Sequence, residues 1–207
     1  MIPVIPFDRR PHAGWRTVCV AVAALAGASF GLTDSSQADP PAAPTAARGA
    51  TGPAACLPSG DGYLRAHLAG AIEANVDWPN SGTRCEGEPR DKPPGVRLSF
   101  RRAHGGKTDL LFVFGITGVS KGKPAHEAGT NLTVIVQGAH RIFGTLGDSR
   151  CTVDSLTQRP LDKAGAYRVE VRGFCTQPAH AVLGSGAVLV STFEFAGPVN
   201  YDARNDQ

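Results

Sequence analysis

Four cysteines, Cys56, Cys85, Cys151 and Cys175, restrict the folds open to this chain more than any other feature of its sequence. A fifth, Cys19, sits in an apolar, charge-free run over residues 18–32, with Arg9, Arg10 and Arg16 before it and Ser36-Gln37-Ala38 after it. A basic start, an apolar stretch of about fifteen residues and a small-residue exit make up a secretory signal peptide, here residues 1–38. The run is shorter than the roughly twenty residues of a spanning helix and is broken by glycine, so no transmembrane span is expected after cleavage. Cys19 leaves with the signal. An even set of four then enters an oxidising compartment, periplasmic or extracellular, where two disulfides are expected. Sequence permits three pairings, and Cys56–Cys85 with Cys151–Cys175 is preferred because each pair brackets a local unit. Loops of that size stabilise by roughly 3–4 kcal/mol each through chain entropy. A four-cysteine zinc site would want C-x2–4-C knuckles, and no two cysteines stand that close.

The remaining composition suits turns and strands. Gly (25) and Pro (16) are abundant while charged residues make up only 19% of the chain; Gly supplies positive φ and Pro presets turns, and both oppose long helices. Apart from Asp39 and Arg48, residues 39–55 are Pro, Ala, Gly and Thr with no large apolar side chain, which predicts a flexible linker. One β domain over 56–202 and a frayed tail over 203–207 complete the expected organisation.

Within that domain apolar residues recur with period two. Over 63–78 Leu64, Ala66, Leu68, Ile72, Val76 and Trp78 alternate with charged residues, which predicts one long strand; the alternative is a helix, since Leu64, Leu68, Ile72 and Val76 also recur every fourth residue. Val96, Leu98 and Phe100 alternate with Arg97, Ser99 and Arg101, and His104-Gly105-Gly106-Lys107 predicts the hairpin turn that follows. Residues 110–119 are apolar on both faces, as a doubly covered central strand would be. A hairpin over 132–146, strands over 152–156 and 167–175, and a long closing strand over 187–201, with Ala187, Leu189, Ser191, Phe193, Phe195, Gly197, Val199 and Tyr201 on one face, finish the set. The fold class is therefore all-β: an antiparallel sandwich or closed barrel-like sheet of about eight strands, disulfide-braced, with little helix and with the first and last strands paired.

Catalytic motifs are missing. Leu183-Gly184-Ser185-Gly186 is not a nucleophile elbow. The histidines show no H-x-H, H-x3-H or H-E-x-x-H spacing, so no metal and no cofactor is expected. Removing residues 1–38 lowers the formal charge from +3 to +2, too weak an excess to predict a nucleic-acid partner. Arg97, Arg101 and Arg102 could make a basic strip, and the reading preferred is the polar outer face of a half-buried strand.

Binding candidates are Trp78, beside the turn Pro79-Asn80-Ser81-Gly82, and the polar loop over 120–130 with Lys121, Lys123, His126 and Glu127, since long loops on a rigid scaffold often carry function. The function expected is an exported, non-enzymatic module that binds an envelope partner, a glycan or a small ligand. Two alternatives stand beside it: a lipocalin-like carrier of an apolar ligand, and a hydrolase whose residues converge only in space. Intact-mass measurement of the exported protein should give a chain starting at Asp39 with its four cysteines oxidised. A chain retaining residues 1–38, or one with free thiols, would refute the export reading.

Overall fold

The structure, a computed structural model, describes residues 54–102 and 109–202. The expected signal peptide, nearly all of the expected linker, the turn at 104–107 and the tail over 203–207 lie outside the described residues. Eleven strands form one antiparallel sheet that folds over itself. They are β1 Tyr63–Gly70, β2 Ala74–Pro79, β3 Thr83–Asp91, β4 Pro94–Arg102, β5 Leu110–Thr117, β6 Ala128–Val136, β7 Arg141–Gly144, β8 Cys151–Pro160, β9 Ala166–Cys175, β10 Ala179–Ala181 and β11 Ala187–Asn200. A 3-10 turn, Gln137–Ala139, joins β6 to β7.

One layer is β3-β4-β5-β6-β7 and the other is β2-β1-β11-β9-β8. Two links close them along one side: β6 pairs with β8, and β7 pairs through β10 with β11. Along the other side, the short corner 80–82 carries the chain from β2 to β3, and the Cys56–Cys85 bridge pins the incoming chain to β3. Cys151 and Cys175 face each other directly across β8 and β9. Both disulfides are thus the preferred pairs, and β1 does pair with β11.

The inward side chains make the core. Phe100, Phe112, Phe114, Phe193 and Phe195 are fully buried between the layers. Phe114 sits at the centre, its ring 4.6 Å from that of Phe195 and 5.1 Å from that of Phe193. Each such burial is worth about 2–3 kcal/mol in area removed from water, and edge or tilted ring contacts add to it. Phenylalanine fills the space in which an apolar ligand of a carrier would sit.

Three strand expectations need correction. Residues 63–78 form a hairpin, β1 and β2, because Gly70 turns the chain at φ +106° and Leu68 then faces Ala74. Of the inward set of the single-strand reading, Leu64, Ala66, Leu68 and Val76 are buried, Trp78 is half-buried, and Ile72 falls in the turn. In β11 the inward face changes parity at Ser191, where a bulge opposite His67 and Leu68 inserts one residue. Val188 and Val190 point inward before it, and Phe193 and Phe195 after it. Last, β5 is covered on one side only, since Leu111 and Val113 remain half-buried on the outer face.

Arg168 breaks the outward pattern of β9: it is only 7% exposed. Its Nη1 donates to Glu170 Oε2 at 2.6 Å, and its Nε lies 2.7 Å from Asp61 Oδ2, within ion-pair reach although that N–H is not aimed at the oxygen. The cluster fastens the loop before β1 onto β9. A hydrogen bond from Ser59, with the charges of Arg168 and Arg159, holds the Asp61 carboxyl below its usual range; the hydrogen bond from Arg168 does the same for Glu170. Both native carboxylates bind protons less readily than the unfolded chain does, so their contribution is present above about pH 5 and is lost as pH falls through the depressed native values. Urea unfolding should therefore show stability dropping between about pH 5 and pH 2, and Asp61→Asn with Glu170→Gln should flatten that slope. Arg168→Met should cost about 2 kcal/mol at neutral pH, less than a fully buried pair, because both carboxylates can rehydrate. An unchanged acid profile in the double variant would contradict this assignment.

Candidate functional site

The outer face of the β3–β6 layer is where polar side chains converge. Register sets them in rows across the strands. Glu86, Ser99, Val113 and Thr133 form one row, and Glu88, Arg97, Gly115 and Asn131 the next. Arg84, Arg101, Leu111 and Ile135 form a third. Period-two alternation puts these residues outward because their neighbours Leu98, Phe100, Phe112, Phe114 and Leu132 are buried. Three adjoining depressions of about 270, 230 and 310 Å³ run over this face, and Arg97 lines all three. Together they make a shallow trough.

Four arginines, Arg84, Arg90, Arg97 and Arg101, and two glutamates, Glu86 and Glu88, line it. Arg97 and Glu88 are 3.8 Å apart and both more than half exposed, a geometry worth little in water. Arg90 differs. Its Nη1 is buried and has no hydrogen-bond partner. It shares with Asn131 Oδ1 the space that a Cβ on Gly115 would take, so glycine at 115 is what lets the guanidinium lie down on the sheet. Asn131 is held in turn by donating from Nδ2 to Asp148 Oδ1 at 2.8 Å.

An anionic oxygen is the strongest acceptor for a guanidinium, and its planar fork matches a carboxylate, phosphate or sulfate. The lining residues include no aromatic side chain, so the trough offers no platform for stacking nucleic-acid bases.

The residues singled out from sequence lie elsewhere. Trp78 is half-buried, and its ring meets Phe112 edge-on at 5.4 Å. The loop carrying Lys121, Lys123, His126 and Glu127 is fastened to β8. Gln158 Nε2 donates to the Ser120 and Lys123 carbonyls, and Tyr201 Oη donates to Gln158 Oε1 at 2.8 Å. Burial pushes the Tyr201 hydroxyl up to about 12. Lys121 pairs with Asp202 at 3.0 Å. His126 Nδ1 donates to the Asp154 carbonyl, the extra residue of a bulge in β8. Glu127 holds the turn into β6 at φ +50°. None of these five side chains lines the trough. Sequence reasoning passed over Arg84 and Arg90 because β3 (TRCEGEPRD) has almost no apolar residues and gives no strand signal. Charged residues at every second position, Arg84, Glu86, Glu88 and Arg90, were the available clue.

A second polar contact lies at the β11 bulge. His67 Nδ1 and Ser191 Oγ are 3.0 Å apart, beside a depression of about 470 Å³ that Glu73 also lines. Histidine beside serine is the start of a nucleophilic constellation. The pair is exposed, and among the described residues no carboxylate is within ion-pair distance of the His67 ring to orient it. Nor, among the described residues, does any group of three His, Cys, Asp or Glu approach metal-binding geometry, and no helix is long and apolar enough to cross a membrane. Comparison with known protein families, with curated proteins and with solved structures found no match.

Proposed function

We propose that this chain is an exported, non-enzymatic binding module whose ligand is anionic and lies along the arginine-lined trough of the β3–β6 layer. The two disulfides fit an oxidising compartment. The observation that carries the ligand reading is the convergence of Arg84, Arg90, Arg97 and Arg101 on one trough, with the Arg90 guanidinium laid on the Gly115 floor beside Arg97 and Asn131. Acidic groups spaced along an extended ligand meet Arg90 and Arg97 and then Arg84 and Arg101. Glu86 and Glu88 interrupt the positive face and would select against a uniformly charged rod in favour of spaced charges.

The hydrolase alternative gains one contact, His67 with Ser191, and lacks the orienting group that would make it a relay. The carrier alternative would require the phenylalanine-filled interior to open.

Calorimetric titration of the oxidised protein should give saturable binding to a sulfated dextran oligomer, weakened by salt, and none to neutral dextran. Arg90→Ala and Arg97→Ala should each weaken it by roughly 10–100-fold, since a hydrogen bond to a charged group contributes about 1.5–3 kcal/mol. Arg90→Lys should restore only part, having charge without the fork. No binding by the folded wild-type protein, or equal binding by the alanine variants, would overturn the proposal.

A further inference from the structure

Where the trough ends, the same sheet face turns apolar. The row that begins with Arg84 and Arg101 continues through Leu111 and Ile135 to Ile142 on β7. Beyond it, Val182 donates its N–H to the Ile142 carbonyl, and Val182 and Leu146 both lie over Gly144. Among the described residues the exposed large aliphatic side chains are Ile142, Leu146, Val182 and Leu183, and all four fall at this one place. Leu146 is 81% exposed and Leu183 is 89% exposed. Leu146 is also held at φ +52°, a conformation that costs a non-glycine residue free energy. A leucine kept in a disfavoured backbone state to stand in water points to a role outside the fold.

We infer that the tips carrying Leu146 and Leu183 insert into an anionic lipid bilayer, so that the acidic groups filling the arginine trough belong to lipid headgroups. This rests on the anion-binding reading of the trough and names the source of the anion. Charge complementarity supports it. The apolar residues continue through Ile142, Ile135 and Leu111 into the row of Arg101 and Arg84, while Arg141 lies by Gly186 of the tip loop, on the Phe143 side of β7. Apolar side chains on the same face as arginines bind anionic interfaces by combining burial with attraction to headgroups. A second copy of the chain fits less well. Its identical face would bring arginine against arginine, and four aliphatic side chains fall far short of the roughly 800 Å² per partner of a stable interface.

The test is sedimentation of the oxidised protein with vesicles of phosphatidylglycerol and phosphatidylcholine (equal parts), against vesicles of phosphatidylcholine alone. Binding to the first and at least tenfold less to the second is expected. The double variant Leu146→Asn, Leu183→Asn should lose at least tenfold in vesicle binding while keeping its affinity for the sulfated oligomer. Asparagine tolerates the left-handed conformation at 146, so loss of folding is not the anticipated cause, and unchanged thermal unfolding checks this. Equal vesicle binding by the double variant, or oligomer binding without vesicle binding, overturns the inference and leaves the anion site standing. Loss of both by the wild-type protein overturns the anion site itself. A dimer in sedimentation equilibrium that the double variant abolishes would assign the patch to self-association and also overturn the inference.

Discussion

The β3–β4 arm is held against β11 by a contact that only glycine allows. A Cβ on Gly87 would run into the Pro198 carbonyl and the Val199 side chain. With nothing there, β3 settles onto β11, and Leu98 and Phe100 of β4 reach the phenylalanine cluster. The Cys56–Cys85 bridge fixes the same arm from its other end. Two of the four trough arginines lie on β3 and two on β4, so the curvature of this arm determines whether the guanidinium groups face a common ligand or splay apart. The site depends on core packing one residue away from it, because in β structure adjacent residues serve opposite faces.

Much of this was legible in the sequence, because alternation is a strong signal wherever one face is buried. Val96, Leu98 and Phe100 on β4, or Val169 and Val171 on β9, could hardly point elsewhere. Both disulfide pairings were legible from loop length and local bracketing. What escaped notice was structure set by tertiary contact. β3 has the composition of a loop and is a strand only because β4 pairs with it and β11 packs on it. The Ser191 bulge conceals itself, since the residues on either side of it look like one uninterrupted period-two series. Arg168 reads as an outward residue and is buried, because the loop before β1 returns with Asp61 to cover it.

The candidate site was less legible still. Long polar loops attract functional readings, and the loop with Lys121, Lys123, His126 and Glu127 was a reasonable choice. Gln158 and Tyr201 tie it to the scaffold, and His126 is occupied with a bulge carbonyl. Arginines six apart on β3 and four apart on β4 leave no linear motif. Only the register, which sets Arg97 beside Gly115 and Asn131 and brings Arg90 over that glycine, makes a site of them. The same register carries the face from guanidinium to exposed leucine within one row and its neighbouring loops, so charge recognition and apolar contact share one surface.

The central claim is that the outer face of the β3–β6 layer receives an anionic ligand at Arg90. Amide chemical-shift mapping during titration with the sulfated oligomer tests it most directly. The account predicts the largest shifts at Glu88, Arg90, Arg97, Gly115 and Asn131, with little change at Trp78 or over residues 120–127. Shifts confined to that loop or to Trp78, with the trough silent, would contradict it.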